Sequence, residues 1–196
     1  MRPGWSGPYL ATANVALACA WAACAWSLCT HSTGSACDFD AVHARVTAAV
    51  ALSALEFVHA ATGLTRSRPS STALFVAARA LVALIVAPAL GCTLAYRATV
   101  LTWGAGEATR FGCFGLDALW PSRRIIKSVR YTCGPVFFSI GTAGELVLLA
   151  QAARAPSPPF PAILLWGLVC AWPFGFAPLL RGLLAQRRKH FAWHED

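Results

Sequence analysis

The amino-acid sequence predicts an all-α, polytopic membrane protein: a bundle of six transmembrane helices. Of its 196 residues 57% are apolar and 12% are charged, and the mean hydropathy is +0.57. Soluble domains carry about 25% charged residues. The apolar residues also fall into six long runs, and a helix needs ~20 residues to cross a bilayer. These observations exclude a soluble globular domain and predict a single membrane domain over residues 1–196.

The predicted spans, with approximate bounds, are residues 9–29, 43–64, 71–93, 97–117, 129–152 and 159–184. They are helices because the runs lack strand alternation, exceed barrel-strand length, and must satisfy their backbone hydrogen bonds within lipid. The stretch Ala23–Ala25 imitates the small-residue cleavage site of a signal peptide. We favour a span there, because the apolar run continues to Cys29.

The connections between the runs differ in charge. Bases concentrate in the second connection, the fourth connection and the tail: Arg66 and Arg68, then Arg123, Arg124 and Lys127, then Arg187, Arg188 and Lys189. The first, third and fifth connections each offer one arginine: Arg45, Arg97 and Arg154. Basic residues accumulate on the cytoplasmic side, so both termini are predicted to be cytoplasmic. Orientation also explains the 16 Lys and Arg against 8 Asp and Glu better than a nucleic-acid partner does.

The eight cysteines include no CxxC pair, and only Cys37 lies in a clearly polar loop. We therefore predict that most of them pack as small apolar residues. Neither a metal site nor a disulfide framework is expected.

Three of the four glutamates, Glu56, Glu107 and Glu145, lie inside apolar runs. An ionised side chain at the bilayer centre costs at least ~2.5–3.5 kcal/mol, so these acids need partners. His59, Arg79 and Arg110 also lie within the runs and are the candidate partners. Glu56 and His59 are three residues apart, as are Glu107 and Arg110, so each pair shares a helix face.

Two interpretations of these residues stay open. They are structural pairs that hold helices in register, or they line one polar cavity with acid, base and guanidinium groups. Desolvation favours the protonated form of a carboxylate, which makes such a group a candidate general acid or base. A guanidinium suits a carbonyl or a phosphate. For Glu145 we favour function, because its own helix offers no cation within one turn.

Five blocks of the sequence share their order and spacing with the motifs of one family. The blocks read YLATAN from Tyr9 to Asn14, LEFVHAATGLTRS from Leu55 to Ser67, WGAGEATRFGCF from Trp103 to Phe114, RYTCGPVFFSIGTAGE from Arg130 to Glu145, and QRRK over 186–189. They are similar to YLxxYN, LExxHxxxGxxxS, WSxxExxRYxxY, RYTxxxxxYPxGxxGE and QRRK. On these motifs the chain resembles the membrane 3-hydroxyacyl-CoA dehydratases of very-long-chain fatty acid elongation, the protein tyrosine phosphatase-like proteins.

The resemblance implies roles for particular residues. Glu145 would be a catalytic acid/base, together with position 138, where the family has a tyrosine and this chain has Phe138. Tyr131, seven residues earlier, is an alternative phenol. The implied substrate-binding residues are Asn14, Glu56, His59, Arg79, Glu107 and Arg110. Arg123, Arg124 and Lys127 would receive the phosphates of coenzyme A, unless they only orient the chain.

The implied activity is that of a hydro-lyase of the fatty acid elongation cycle in the endoplasmic reticulum membrane. It converts very-long-chain (3R)-3-hydroxyacyl-CoA to trans-2-enoyl-CoA, with no cofactor and no metal. The implied partners are the acyl-CoA substrate, membrane lipid and other elongase-cycle enzymes, and no nucleic acid.

The alternative is a catalytically impaired relative that acts as an elongase-complex or acyl-CoA-binding scaffold. It is favoured by Phe138, and by Ala13, Phe111 and Phe114, each of which replaces a family tyrosine. A small proton-linked transporter is a third possibility, but the sequence shows no inverted repeat.

Overall fold

A computed structural model describes residues 6–33, 36–65, 67–120 and 124–192. Within these ranges the chain forms six long helices, which confirms the predicted all-α bundle. From first to sixth they span Ser6–Thr30, Phe39–Ala61, Pro69–Leu90, Leu94–Leu119, Arg124–Ala153 and Ala162–Ala192. A two-stranded antiparallel hairpin, Ser32–Thr33 with Ala36–Cys37, lies in the first connection.

Five of the six helices are long and apolar enough to cross a membrane. The exception is the fourth, which has the length but carries Arg97, Glu107, Arg110 and Asp117. The sixth helix continues to Ala192, beyond the predicted end of its apolar run at residue 184. The apolar run marks only the part that lipid can cover, and the helix goes on through the polar QRRK segment.

Local signals explain several helix ends. The side chain of Asp38 accepts a hydrogen bond from the backbone N–H of Ala41 at 3.0 Å and caps the second helix. Thr93 caps the fourth helix through the N–H of Tyr96 at 3.1 Å. Gly91 ends the third helix at a φ of 66°, a left-handed conformation that glycine adopts without strain.

The third helix widens near its middle. Residues Pro69–Leu81 are α-helical, Val82–Val86 form a π-helical turn, and Ala87–Leu90 return to the α-helix. Pro88 has no N–H to donate to the carbonyl four residues earlier, so the regular pattern is interrupted here. Such π turns are frequent at functional sites, and this one begins three residues after Arg79.

The first and fourth helices form the centre of the bundle. The fourth also packs on the fifth, the second packs on the first and third, and the sixth packs mainly on the fifth. Trp21 and Trp103 meet edge to face between the first and fourth helices, with ring centroids 6.2 Å apart. The core therefore lies around the fourth helix, which carries buried charges as well as apolar side chains.

A disulfide joins Cys37 in the first connection to Cys92 in the third, with the two Cα atoms 6.1 Å apart. The expectation that no disulfide forms was therefore wrong for this pair. The partners are 55 residues apart, and only the packing of the helices brings their loops together. The other six cysteines are free.

The two ends of the bundle thus differ. We call the end formed by the first, third and fifth connections the disulfide end, and the opposite end, which carries Arg68, Arg124, Lys127 and 187–189, the basic end. Arg66 and Arg123, which the sequence analysis placed among the basic loop residues, lie outside the described residues.

Candidate active site

Four charged side chains from three helices form a continuous buried chain of ion pairs. The guanidinium of Arg110 binds both carboxylate oxygens of Glu56, with N–O distances of 2.5 and 2.8 Å, and it donates to Glu107 at 2.6 and 2.9 Å. The other oxygen of Glu107, Oε1, forms an ion pair with Nη2 of Arg79 at 2.9 Å. Two acids and two guanidiniums balance, so the cluster can stay ionised away from water.

The pairing differs in part from the predicted one. Glu107 and Arg110 pair along one helix face, as their spacing predicted. Glu56 and His59 do not pair with each other: Glu56 binds Arg110, and the Nε2 of His59 lies 2.9 Å from the hydroxyl of Tyr9. Both partners are on other helices, where sequence spacing carries no information.

Arg79 is surrounded by aromatic rings. Its guanidinium carbon lies 4.3 Å from the ring centroid of Phe75, 5.1 Å from that of Trp21 and 5.3 Å from that of Trp103. The negative faces of such rings attract a cation. They therefore help to hold Arg79 next to Glu107.

Glu145 is 3% exposed and is held by two tryptophans. The indole N–H of Trp103 donates to one carboxylate oxygen at 3.0 Å, and the indole N–H of Trp172 donates to the other at 3.1 Å. The guanidinium carbon of Arg79 lies 5.3 Å from the ring centroid of Trp103, so Arg79 and Glu145 share this tryptophan as a neighbour. Glu145 therefore faces the bundle interior, and its partners come from the fourth and sixth helices.

Phe138 lies on the fifth helix two turns before Glu145, about 10.5 Å along the axis. Its ring is half-buried between Phe75, at a centroid distance of 6.1 Å, and Phe176, at 5.5 Å. Ser139, in the place of the family proline, donates its hydroxyl to the carbonyl of Pro135 at 2.8 Å. At the position where the family has a phenol, this chain thus has a phenyl ring that is packed between two others.

Tyr131 is a poor substitute for that phenol. It lies fourteen residues before Glu145 on the same helix, a rise of about 21 Å. Its hydroxyl accepts a hydrogen bond from Arg130, and its ring packs on His190 at the basic end, with centroids 5.1 Å apart. Tyr131 and Glu145 are too far apart to act on adjacent carbons of one substrate.

A cavity of about 600 Å³ lies between the helices towards the basic end. Its polar lining includes Asn14, Glu56, His59, Arg110, Tyr131 and Gln186. The amide of Asn14 donates to the carbonyl of Leu10 at 2.7 Å, which fixes the side chain at the wall.

The predicted site residues therefore fall into three connected groups. Asn14, Glu56, His59 and Arg110 line the cavity, Arg79 and Glu107 continue the ion-pair chain behind it, and Glu145 and Phe138 lie farther in. Glu145 does not line the cavity. Of the six ionisable residues expected to converge on one cavity, Glu56, His59 and Arg110 therefore line it, whereas Arg79, Glu107 and Glu145 do not.

Three aromatic residues that the sequence did not single out, Phe75, Trp172 and Phe176, each contact a predicted site residue. Trp172 offered one signal, since a tryptophan well inside an apolar run needs a partner for its N–H. No group of three His, Cys, Asp or Glu side chains in the described ranges is placed to hold a metal ion.

The chain was also compared with known proteins. A family model described as "Protein tyrosine phosphatase-like protein, PTPLA" matches residues 50–192, well over half of the chain. The matched stretch contains every predicted site residue except Asn14. No curated protein and no solved structure matches the chain.

Proposed function

Because this chain belongs to the PTPLA family, the family of very-long-chain 3-hydroxyacyl-CoA dehydratases, we propose that it removes water from a very-long-chain (3R)-3-hydroxyacyl-CoA in the fatty acid elongation cycle. The observation that carries the proposal is the position of Glu145. It is a carboxylate buried in a membrane bundle and held by two indole N–H groups, one of them from Trp103, whose ring also lies next to the cation Arg79.

The proposed reaction moves one proton and releases one water molecule. Glu145 accepts the proton from C2 of the acyl chain and delivers the same proton to the C3 hydroxyl, so the C3–O bond breaks, water leaves, and the C2–C3 double bond forms. The guanidinium of Arg79 stabilises the negative charge that develops between these two events. The reaction needs no cofactor, because both steps are proton transfers.

The proposed substrate lies along the bundle from the basic end inwards. Arg124 and Lys127, exposed or half-buried at the start of the fifth helix, would bind the phosphates of coenzyme A. The cavity beyond them would hold the arm that carries the thioester, with Asn14, His59 and Arg110 as its polar contacts. The acyl chain would then lie among the apolar side chains of the helices.

We also propose an endoplasmic reticulum location with the basic end in the cytoplasm, where acyl-CoA and other elongase-cycle enzymes would meet it. Two features support this orientation. Bases collect on the cytoplasmic side of membrane proteins, and disulfides persist in oxidising compartments such as the reticulum lumen. Both termini would then be cytoplasmic.

The second candidate function is a scaffold that binds acyl-CoA or elongase-cycle enzymes without turnover. A specific observation favours it: Phe138 is packed against Phe75 and Phe176, and Glu145 does not line the cavity. A phenyl ring can neither donate nor accept a proton.

Replacing Phe138 by tyrosine separates the two functions. For an impaired enzyme, Phe138→Tyr restores the missing phenol, and a general acid or base contributes roughly 10²–10⁴-fold. We expect a rise within that range in dehydration of 3-hydroxyacyl-CoA by membranes that contain the variant. Glu145→Ala should abolish the activity.

The matched control is Phe174→Tyr, the same change on a ring that is 81% exposed; it should leave the rate unchanged. A Phe138→Tyr variant that folds and inserts normally but is no faster than the wild type would favour the scaffold.

A further inference from the structure

A second, much smaller cavity lies beside Arg79. Its volume of about 10 Å³ is close to the space that one water molecule needs. Four polar side chains line it: Ser53, Glu56, Arg79 and Arg110. Val50, Phe75 and Val76 complete its wall. We call this space the Arg79 chamber.

The chamber contains one unused hydrogen-bond donor. Arg79 is 7% exposed, and its Nη2 binds Glu107. Its Nε–H has no hydrogen-bond partner among the described residues. A buried donor without a partner is unfavourable, and a guanidinium cannot lose its charge to relieve it.

The chamber also offers acceptors. The hydroxyl of Ser53 donates to the carbonyl of Ala49 at 2.8 Å and accepts from the indole of Trp21 at 3.0 Å, so one lone pair stays available. Each carboxylate oxygen of Glu56 likewise has lone-pair capacity beyond its bond to Arg110. One donor and two acceptors around a water-sized space match a single O–H group.

We propose that the Arg79 chamber is a hydroxyl-binding site, which holds one water molecule in the free protein and the C3 hydroxyl of the substrate when it is bound. Only the substrate half of this inference rests on the proposed function. Glu56 and Arg110 line both the chamber and the 600 Å³ cavity, so a substrate in the cavity lies next to the chamber.

The position of Arg79 also suits the proposed reaction. The same guanidinium lies 5.3 Å from the ring centroid of Trp103, which binds Glu145, and contacts Phe75, which stacks on Phe138. A hydroxyl bound to its Nε–H would therefore lie near the residues that act on C2. Arg79 would act as a positioning residue for the leaving hydroxyl.

The water half is tested by an experimental structure in lipid nanodiscs at a resolution that shows ordered water. We expect an oxygen within hydrogen-bonding distance of Arg79 Nε. Val76→Ile adds one methylene to the chamber wall and should displace that oxygen, and Val50→Ile should do so from the second helix. Val136→Ile, on a side chain 54% exposed, is the matched control and should retain it. An empty chamber in a wild-type map that shows other buried waters would overturn the proposal.

The substrate half is tested by binding rather than turnover. A 3-hydroxyacyl-CoA and the acyl-CoA of equal length without the hydroxyl are compared on the full chain. We expect Val76→Ile to weaken binding of the hydroxylated ligand by about 10-fold or more, the effect of one hydrogen bond to a charged group, and to leave the other ligand unaffected. Equal weakening of both ligands, or of neither, would restrict the chamber to water. Absence of turnover by every variant would count against the proposed function alone, because neither measurement depends on turnover.

Discussion

Glu107 is the residue on which the buried ion pairs depend. One of its oxygens binds Arg79 and the other binds Arg110. A single carboxylate therefore neutralises part of the positive charge of both guanidiniums. Its side chain is 6% exposed, and water cannot take its place. A buried charge that loses its partner is costly, whereas the same loss at a surface is small.

Replacing Glu107 by glutamine should therefore destabilise the protein strongly. We expect Glu107→Gln to lower the free energy of unfolding by about 3–5 kcal/mol, because Arg79 and Arg110 keep their charges without the shared carboxylate. Thermal or denaturant unfolding in detergent measures the effect.

The control for this variant is Asp117→Asn on the same helix. Asp117 lies 4.0 Å from Lys127, and both side chains are partly exposed, so its loss should cost less than about 1 kcal/mol. Similar effects of the two variants would show that the ion-pair chain contributes little to stability.

At the scale of the helices, glycine allows the closest contacts. A Cβ at Gly104 on the fourth helix would lie 2.8 Å from the Cβ of Ala25 and 2.9 Å from the carbonyl oxygen of Trp21 on the first helix. A Cβ at Gly144 on the fifth helix would meet Thr99. Small residues let membrane helices approach closely, and here Gly144 allows the neighbouring Glu145 to reach Trp103.

Gly104→Ala should separate the first and fourth helices. The added methyl group meets backbone, which cannot rotate away, and overpacking of this kind costs about 1–3 kcal/mol. Gly112→Ala on the same helix is the control, since a Cβ there meets nothing within 4 Å. It should be neutral or stabilise the helix by about 0.5–1 kcal/mol. The free energies of unfolding of both variants are measured in detergent. Equal values for Gly104→Ala and Gly112→Ala would contradict the packing argument.

For the molecule as a whole, each end of the bundle has a separate feature that indicates its orientation in the membrane. The basic end holds Arg68, Arg124, Lys127 and the basic residues 187–189, and the other end holds the Cys37–Cys92 disulfide. Charge bias acts during insertion, whereas a disulfide requires an oxidising compartment. The two features lie at opposite ends of the bundle, as one consistent orientation requires.

Removing the disulfide tests both stability and orientation. We expect Cys37→Ser and Cys92→Ser each to lower the free energy of unfolding by about 2–4 kcal/mol. The double variant should be no worse than either single one, because both remove the same bond. Cys29→Ser, at a free and exposed cysteine, is the control.

The orientation is read from the same protein in sealed microsomes. A cysteine introduced at Ser70, on the basic end, should react with an impermeant maleimide, and one at Ser157 should not. In the wild type, Cys37 and Cys92 should be labelled only after permeabilisation and reduction. Labelling of Ser157→Cys in intact vesicles would reverse the proposed orientation.

The sequence alone determined the features that depend on local chemistry. A long apolar run in lipid must satisfy its own backbone hydrogen bonds, so the six helices follow from hydropathy. The pairing of Glu107 with Arg110 follows from a spacing of three residues on one helix. The family also followed from the sequence, because its motifs are short blocks that each lie within one helix or at its end.

Only the tertiary structure decided the contacts between helices. It paired Glu56 with Arg110 and His59 with Tyr9, joined Cys37 to Cys92, and placed Trp103 and Trp172 on Glu145. It also packed Phe138 between Phe75 and Phe176 and left that carboxylate outside the lining of the cavity. The physical reason is that hydropathy sets where each helix begins and ends, whereas its rotation and neighbours depend on close packing of small and large side chains across the whole bundle.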